Sequence, residues 1–187
     1  IKSGNAASAG AGSIAIGNDA NAVSNSIAIG NNASTKDAER TSGQSVALGN
    51  GAKAGAKGVA IGSNVNASGA REGTVAIGAN VDTRALFSTV VGTDSKITID
   101  DTKGTWAGQE ANIQGGLSSI TGSKNTLTSD AGKVYGGMVT SIAGSANTVV
   151  NSNGVTVQGF ANKVANAYRD LNLTDEDVQG IANGDYS

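Results

Sequence analysis

The sequence predicts an all-β fold of the β-solenoid type, in which the chain winds through coils of 13–16 residues that each contain one short strand and one return strand. Three observations predict it. A pentapeptide with two large aliphatic side chains around an alanine and a final glycine recurs five times. Small residues alternate with polar ones between its copies. The final glycines lie 13 to 19 residues apart, which leaves room for one strand, one return strand and two turns.

Each copy of the pentapeptide has the alternation of a strand. Neighbouring side chains on a strand point to opposite faces, so the two large side chains share one face and the alanine lies on the other. The copies are 13–17, 26–30, 45–49, 58–62 and 74–78. The positions that they predict as core or subunit-contact strands are Ile14, Ile16, Ile27, Ile29, Val46, Leu48, Val59, Ile61, Val75 and Ile77.

Weaker alternations of small residues predict the return strands. Between the return strands and the pentapeptides lie pairs of Asn, Asp, Ser and Gly, which tolerate the left-handed backbone conformation that a sharp corner needs. Residues 1–12 alternate in the same way and are interpreted as an incomplete first coil. The return strands are predicted at Ala20 and Ala22, at Ala52, Ala54 and Ala56, and at Val65 and Ala67.

After Gly78 a finer apolar spacing predicts that the solenoid continues over 93–165 in half-coils of seven or eight residues. A seven-residue spacing also occurs in coiled coils, but frequent glycine and β-branched residues disfavour a helix here. We therefore divide the chain into 1–92, 93–165 and a connector, 166–187, that is compatible with a short helix capped at 174–177. The predicted strand anchors are Val91, Ile99, Trp106, Ile113, Ile120, Leu127, Val134, Ile142, Val149, Val157 and Val164.

The composition of the 187 residues limits the function classes. With 38% hydrophobic and only 3% aromatic residues, the chain predicts a thin core of Ala, Val and Ile. It has no cysteine and no histidine, which removes thiolate chemistry and the commonest general base, and no catalytic, metal or cofactor site is predicted. A net charge of −2 argues against nucleic acid. No apolar run approaches the roughly 20 residues that span a bilayer, so we expect no membrane contact from this segment.

Candidate ligand contacts lie where the repeat is interrupted. The 19-residue interval contains a polar insert, 35–41, which is interpreted either as a solvated loop or as an edge that contacts a ligand through Lys36, Asp37, Glu39 and Arg40. Trp106 falls on the anchor series, which favours a core or interface position over an exposed one. Tyr135 follows an anchor directly and is predicted to be the exposed aromatic residue. The acidic groups at 100–101 and 175–177 are interpreted as turns or caps rather than a cation site.

A strand face made only of Ala, Val, Ile and Gly predicts association between chains, because large exposed apolar patches mark interfaces. Small alanine side chains would allow a neighbouring chain to approach closely. We therefore expect Val and Ile to fill the roll, with the alanines nearer the neighbouring chain. The alanines concerned are Ala15, Ala28, Ala47, Ala60 and Ala76, and the reverse assignment remains open.

The repeats resemble the YadA-like heads of trimeric autotransporter adhesins, which are bacterial surface proteins. The motifs that carry the resemblance are SIAIGNDA at 13–20, NSIAIGNNAS at 25–34, QSVALGNGAKA at 44–54 and GVAIGSNVNAS at 58–68. SSITGSKNT at 118–126 and TSIAGSANT at 140–148 match more loosely. The resemblance implies a left-handed parallel β-roll, a homotrimer, and display on the extracellular side of a bacterial outer membrane. It also implies adhesion to an extracellular matrix protein or to a receptor on a host cell or another bacterium.

Two functions follow as expectations. An adhesive head is favoured by repetition, since three copies of a weak site give avidity. A structural spacer without its own ligand is the alternative. Ice binding would need aligned Thr-x-Thr ranks, of which only isolated threonines such as Thr98 and Thr156 are visible, and a polysaccharide-cleaving enzyme would need converging carboxylates.

Overall fold

The computed structural model of the protein describes 1–35, 43–68, 73–83, 85–98, 104–106, 109–111, 115–129, 136–167, 174, 176–177 and 180. Over 104–106 and 109–111 it describes the backbone alone. The fold is all-β. Among the described residues no helix is long and apolar enough to cross a membrane.

The described strands are short, from two to five residues. They are β1 (Lys2–Ser3), β2 (Ser8–Ala9), β3 (Ile14–Ile16), β4 (Asn21–Ala22), β5 (Ile27–Ile29), β6 (Val46–Leu48), β7 (Lys53–Ala54), β8 (Val59–Ser63), β9 (Asn66–Ala67), β10 (Val75–Ala79), β11 (Asp82–Thr83), β12 (Thr89–Thr93), β13 (Lys96–Thr98), β14 (Gly104–Trp106), β15 (Gln109–Ala111), β16 (Ser119–Ser123), β17 (Thr126–Thr128), β18 (Ser141–Ser145), β19 (Thr148–Val150), β20 (Thr156–Phe160) and β21 (Lys163–Ala165).

Two long parallel sheets contain all of these strands except β14 and β15. Sheet A has ten strands in the order β1-β3-β5-β6-β8-β10-β12-β16-β18-β20. Sheet B runs from β2 and β4 through a bridge at Ser34 to β7, β9, β11, β13, β17, β19 and β21. The chain alternates between the sheets, an arrangement consistent with a β-solenoid. The incomplete first coil and the return strands predicted from the alanines are confirmed.

The alanine face of sheet A lines the space between the sheets, and the expectation that Val and Ile fill the roll is wrong for the N-terminal coils. Ala15, Ala28, Ala47, Ala60 and Ala76 are all fully buried. The large side chains that flank them lie on the outer face and stay partly exposed. The inward residues of sheet B are also small in these coils, so the two sheets approach each other with alanine against alanine.

The interior becomes bulkier along the chain. From β12 onward the inward position of sheet A is occupied by Val90, Ile120, Ile142 and Val157. Sheet B supplies Ile97, Leu127 and Val149 opposite them. The outer face of sheet A changes in the opposite sense, because Ser119, Thr121, Ser141 and Thr156 replace the large aliphatic residues. The apolar bulk therefore moves from the outside of the solenoid to its inside.

We call the turn from sheet A to sheet B corner 1 and the turn from sheet B to sheet A corner 2. Corner 1 has a constant length. In every described coil the inward residue of sheet B is the fifth residue after the glycine of the sheet A strand, as Ala67 is after Gly62. Corner 2 varies in length, since the next sheet A strand begins five residues after Ala54 but eight residues after Ala67. The coils therefore differ in length at corner 2.

The anchor series is wrong at Trp106. Strand β12 pairs directly with β16, and β13 with β17, so the described part of the 99–114 stretch belongs to neither long sheet. Its two described strands form an antiparallel hairpin in which Trp106 pairs with Gln109. The buried residue of β12 is Val90, whereas Val91 faces outward. Ile99, Ile113 and Val134 lie outside the described residues.

The C-terminal part begins as solenoid and then changes. Strands β20 and β21 extend the two sheets as far as Ala165. The described helical residues follow at Glu176, Asp177 and Gly180. Thr174 and Asp177 form a reciprocal cap, in which each backbone N–H donates to the other side chain at 2.8 and 3.1 Å. The hydroxyl and N–H of Thr174 lower the pKa of the Asp177 carboxyl.

A column of glycines sets the distance between coils. Gly62, Gly78, Gly92, Gly122 and Gly144 are in register along sheet A, and each has a positive φ. A Cβ on Gly78 would collide with the carbonyl oxygen of Gly92. The coils can therefore hydrogen-bond along the whole ladder only while this position carries no side chain.

Side-chain ladders repeat the backbone ladder at both corners. At corner 2, Ser26 and Ser45 donate their N–H groups to the hydroxyls of Ser13 and Ser26, both at 3.2 Å. At corner 1, the Asn147 amide donates to Asn125 Oδ1 at 3.0 Å, and the Asn162 amide donates to Asn147 Oδ1 at 2.9 Å. Asn125 and Asn147 are fully buried, so these bonds satisfy polar groups that water cannot reach.

Replacing Gly78 by alanine should destabilise the fold by about 3 kcal/mol or more, because it adds positive-φ strain to a backbone clash. Urea unfolding followed by circular dichroism measures this change. Gly51→Asn is the matched control. Gly51 has φ of 67° at corner 1, where other coils carry asparagine, and its replacement should change stability by less than about 0.5 kcal/mol. Equal effects of the two substitutions would contradict the role of the glycine column.

Replacing Asn147 by alanine should cost about 2–4 kcal/mol in unfolding free energy, because it removes the amide that joins Asn125, Gly159 and Asn162. Thermal and urea unfolding give the value. Thr148→Val changes the next residue, which faces outward on sheet B, and should be close to neutral. A loss below 1 kcal/mol for the asparagine variant would show that the ladder contributes little.

Candidate binding surfaces

The predicted ligand-contact residues Lys36, Asp37, Glu39 and Arg40 lie outside the described residues, as does Tyr135. The structure does describe where their insert joins the solenoid. Thr35 is buried, donates its N–H to Asn21 O at 2.9 Å and accepts the N–H of Val23 at 3.1 Å. The N-terminal end of the insert is thus fixed in sheet B.

The chain re-enters the described solenoid at corner 2. Gln44 donates its N–H to Asn25 O at 3.1 Å, which places it on the same corner of the preceding coil. The two attachment points therefore assign the insert to corner 2, away from corner 1.

The outer face of sheet A carries two apolar columns. In strands β3, β5, β6, β8 and β10 the two outward residues that flank the buried alanine are Ile, Val or Leu, and successive strands place these residues in register. Ile29 keeps 37% of its surface exposed, although it has neighbours on both sides within its column. These are the ten residues predicted as core or subunit-contact strands, and they are half-buried in the single chain. A contiguous apolar surface of this kind is typical of an interface.

The outer face of sheet B is polar. One column of outward positions contains Asn21, Ser34, Lys53, Asn66 and Asp82 in register. Some of these side chains bond along the column, as where the Asn66 amide donates to Asp82 Oδ1 at 2.9 Å. The opposite faces of the solenoid therefore differ sharply in chemistry, with aliphatic side chains on sheet A and amides, hydroxyls and charges on sheet B.

A shallow groove of about 670 Å³ lies where corner 1 meets sheet B. Its lining is entirely polar apart from one glycine and contains one carboxylate and one ammonium group. Because successive strands lie about 4.8 Å apart, the groove repeats its amide and hydroxyl groups at that interval. The residues that line it are Asp19, Asn21, Asn32, Ser34, Asn50, Gly51, Lys53, Asn64 and Asn66.

Most side chains of this groove are suited to recognition by hydrogen bonds. Amide side chains both donate and accept hydrogen bonds, but they do not act as acids, bases or nucleophiles. Among the described residues no three His, Cys, Asp or Glu side chains come together in a way that could hold a metal ion. The groove can therefore bind a polar chain in repeated steps.

Sequence reasoning missed this groove, although a signal for it exists. Its residues are the second and fourth after each glycine of the early pentapeptides, together with Asn50, and these positions were interpreted only as corners and return strands. Asn32 and Asn64, for example, occupy the same step of different coils. The constant length of corner 1 brings these positions into columns, and that constancy can be read from the sequence.

Comparison with known proteins adds no identification. No model of a protein family matches the chain, and no curated protein is significantly similar to it.

Proposed function

We propose that the chain is the adhesive head of a bacterial surface fibre, a left-handed roll that assembles as a homotrimer and attaches to matrix proteins, host cells or other bacteria. Display on the extracellular side of an outer membrane and the handedness are proposed on the repeat motifs 13–20, 25–34, 44–54 and 58–68. The observation that carries the assembly is the uncovered apolar face of sheet A.

The energy of covering this face is large enough for assembly. If a partner removes the remaining exposed area of its ten large side chains, each contributes about 1 kcal/mol, or about 10 kcal/mol for each chain. Three chains together reach about 30 kcal/mol. Association costs about 4–15 kcal/mol for each chain that joins, so the apolar face can drive stable assembly.

The alanine interior makes the N-terminal coils depend on that cover. Ala28 and Ala60 bury little apolar area inside the roll, while their neighbours Ile29 and Ile61 hold most of the aliphatic surface outside it. A face-to-face pair of chains would also cover this surface. We propose three chains because the motifs resemble those of trimeric heads.

Recognition is proposed for the polar outer wall. With sheet A turned toward the other chains, sheet B and the part of the groove on its outer face, at Asn21, Ser34, Lys53 and Asn66, face outward. Three chains then present three copies of the groove, and individually weak hydrogen-bonded contacts act together on a multivalent surface. The corner 2 insert at 36–42 is the second candidate contact.

Ile29→Asp should dissociate the assembly, because it places a carboxylate in the covered face. The side chain points away from the alanine interior, and the C-terminal coils, whose interior is Ile, Leu and Val, should keep their β-structure in the circular dichroism spectrum. Light scattering at micromolar concentration measures the change in mass. Lys53→Asp, which adds a carboxylate to the polar face, is the control and should leave the mass unchanged. An unchanged mass for the Ile29 variant would contradict the proposed seam.

Replacing Asn21 and Lys53 together by threonine should reduce attachment to the surface that the native head binds, and more strongly for multivalent surfaces than for soluble ligand. Lys163→Thr lies in the same column beyond the groove and is the matched control. A shortened loop, with 36–42 replaced by Asn-Gly, separates the two candidate sites. Loss of attachment only in the loop variant would move the site to corner 2, and a native trimer that attaches to no surface would favour the spacer.

A further inference from the structure

Both corners of the solenoid place one residue of every coil in the left-handed conformation. At corner 1 this residue is the second after the glycine, and at corner 2 it is the second before the sheet A strand. At these two positions nearly all N-terminal coils have Gly, Asn, Asp, Gln or Lys, which are glycine or polar residues. The C-terminal coils depart from this rule at both corners.

At corner 2 the departing residues are Phe87, Leu117 and Val139, of which the two aliphatic ones, Leu117 and Val139, have φ of 55° and 51°. A β-branched residue at positive φ is a genuine outlier and costs free energy. Both side chains are also exposed, by 40% and 47% of their surface. They lie on neighbouring coils, since Val139 donates its N–H to the carbonyl of Gly116 at 3.1 Å. The chain thus bears backbone strain to present two adjacent aliphatic side chains at this corner.

At corner 1 the coil of Val139 and the coil after it carry alanine, whereas the coil of Leu117 carries Lys124. Ala146 and Ala161, with φ of 57° and 56°, occupy the step where earlier coils have Asp19, Asn32 or Asn64. Phe160 stands beside Ala161 and is 77% exposed. A second apolar patch therefore lies at the opposite edge of sheet A, one coil further along the solenoid, and the two patches share the coil of β18.

The two patches begin where the apolar face of sheet A ends. Val91 in β12 is its last large outward residue, and β16, which pairs with β12, presents Ser119 and Thr121 instead. Contacts through the face would thus weaken from β16 onward. The apolar surface of the C-terminal coils is carried by their edges.

A ring of identical subunits brings one edge of each chain against the opposite edge of the next, because cyclic interfaces of more than two chains are heterologous. Resting on the proposed trimer, we propose that Leu117 and Val139 of one subunit pack against Ala146, Phe160 and Ala161 of the next subunit. A second copy of this chain is the occupant that the structure favours. Its two patches differ in size, lie on opposite edges with the coil of β18 in common, where Val139 and Ala146 flank one strand, and follow the apolar face of sheet A.

The first test replaces Leu117 and Val139 together by asparagine. Asn25 occupies the same step of corner 2 with φ of 56°, so the change relieves strain and should leave the stability of the single chain unchanged or higher. The concentration at which the trimer half-dissociates should rise by roughly tenfold or more, as measured by sedimentation. Gln44→Asn changes a residue that is already polar at the same position of corner 2 in an earlier coil. It should leave the half-dissociation concentration unchanged. A variant trimer as tight as the native one would overturn the contact.

The second test uses the absence of cysteine from the chain. In a Val139→Cys/Ala146→Cys variant, the five residues of β18 hold the two thiols of one chain at least about 17 Å apart. A bismaleimide shorter than this separation should therefore link different chains and give covalently closed trimers in denaturing electrophoresis. The single variants should give no species larger than a dimer.

The outcomes separate the contact from the trimer itself. A native trimer that the double variant fails to link overturns the edge contact and leaves the seam on sheet A standing. If the patches were covered by another part of the same chain, the asparagine variant would lower thermal stability without changing dissociation, which also overturns the proposal. A native protein that is monomeric overturns the proposed assembly together with this contact.

Discussion

The close stacking of coils along the glycine column is the constraint on which the rest of the structure depends. Gly78 approaches the carbonyl of Gly92 more closely than any side chain would allow, and the same approach recurs from coil to coil. This contact fixes the register of sheet A. Register in turn places each corner residue and each outward residue above its counterpart, so that a single substitution in one coil belongs to a column rather than to an isolated site.

Columns explain how one backbone can serve two different packing solutions. In the N-terminal coils the interior is alanine and the aliphatic bulk lies outside, whereas after Val90 the interior is Ile, Leu and Val and the outer face is hydroxyl-rich. The first solution needs a partner to cover it, and the second is largely self-contained. Assembly and stability are therefore concentrated in different parts of one continuous sheet.

Much of this fold could be predicted from the sequence, because strand alternation and corner residues are local signals. The strands at 14–16 and 27–29, the return strands and the incomplete first coil follow from them. The inward face did not, since both faces of Ile27-Ala28-Ile29 are apolar and only the separation of the sheets decides between them. The hairpin that contains Trp106 imitated the seven-residue spacing, so spacing alone counted a strand of the wrong sheet.

The binding surfaces were harder to predict because they are made by columns. Sequence reasoning selected the charged insert because it interrupts the repeat. It overlooked the groove because the Asn and Ser residues of the groove are part of the repeat. The strained Val139 was likewise invisible, since its φ depends on its place at a corner that the 130–135 stretch obscures in the sequence.

The central claim is that the aliphatic face of sheet A is covered by identical chains. Sedimentation equilibrium of the unmodified protein over a wide dilution series tests it most directly. A homotrimer should give one species with three times the 18.2 kDa chain mass at micromolar concentration. A stable species of one chain mass with intact β-structure at that concentration would contradict it.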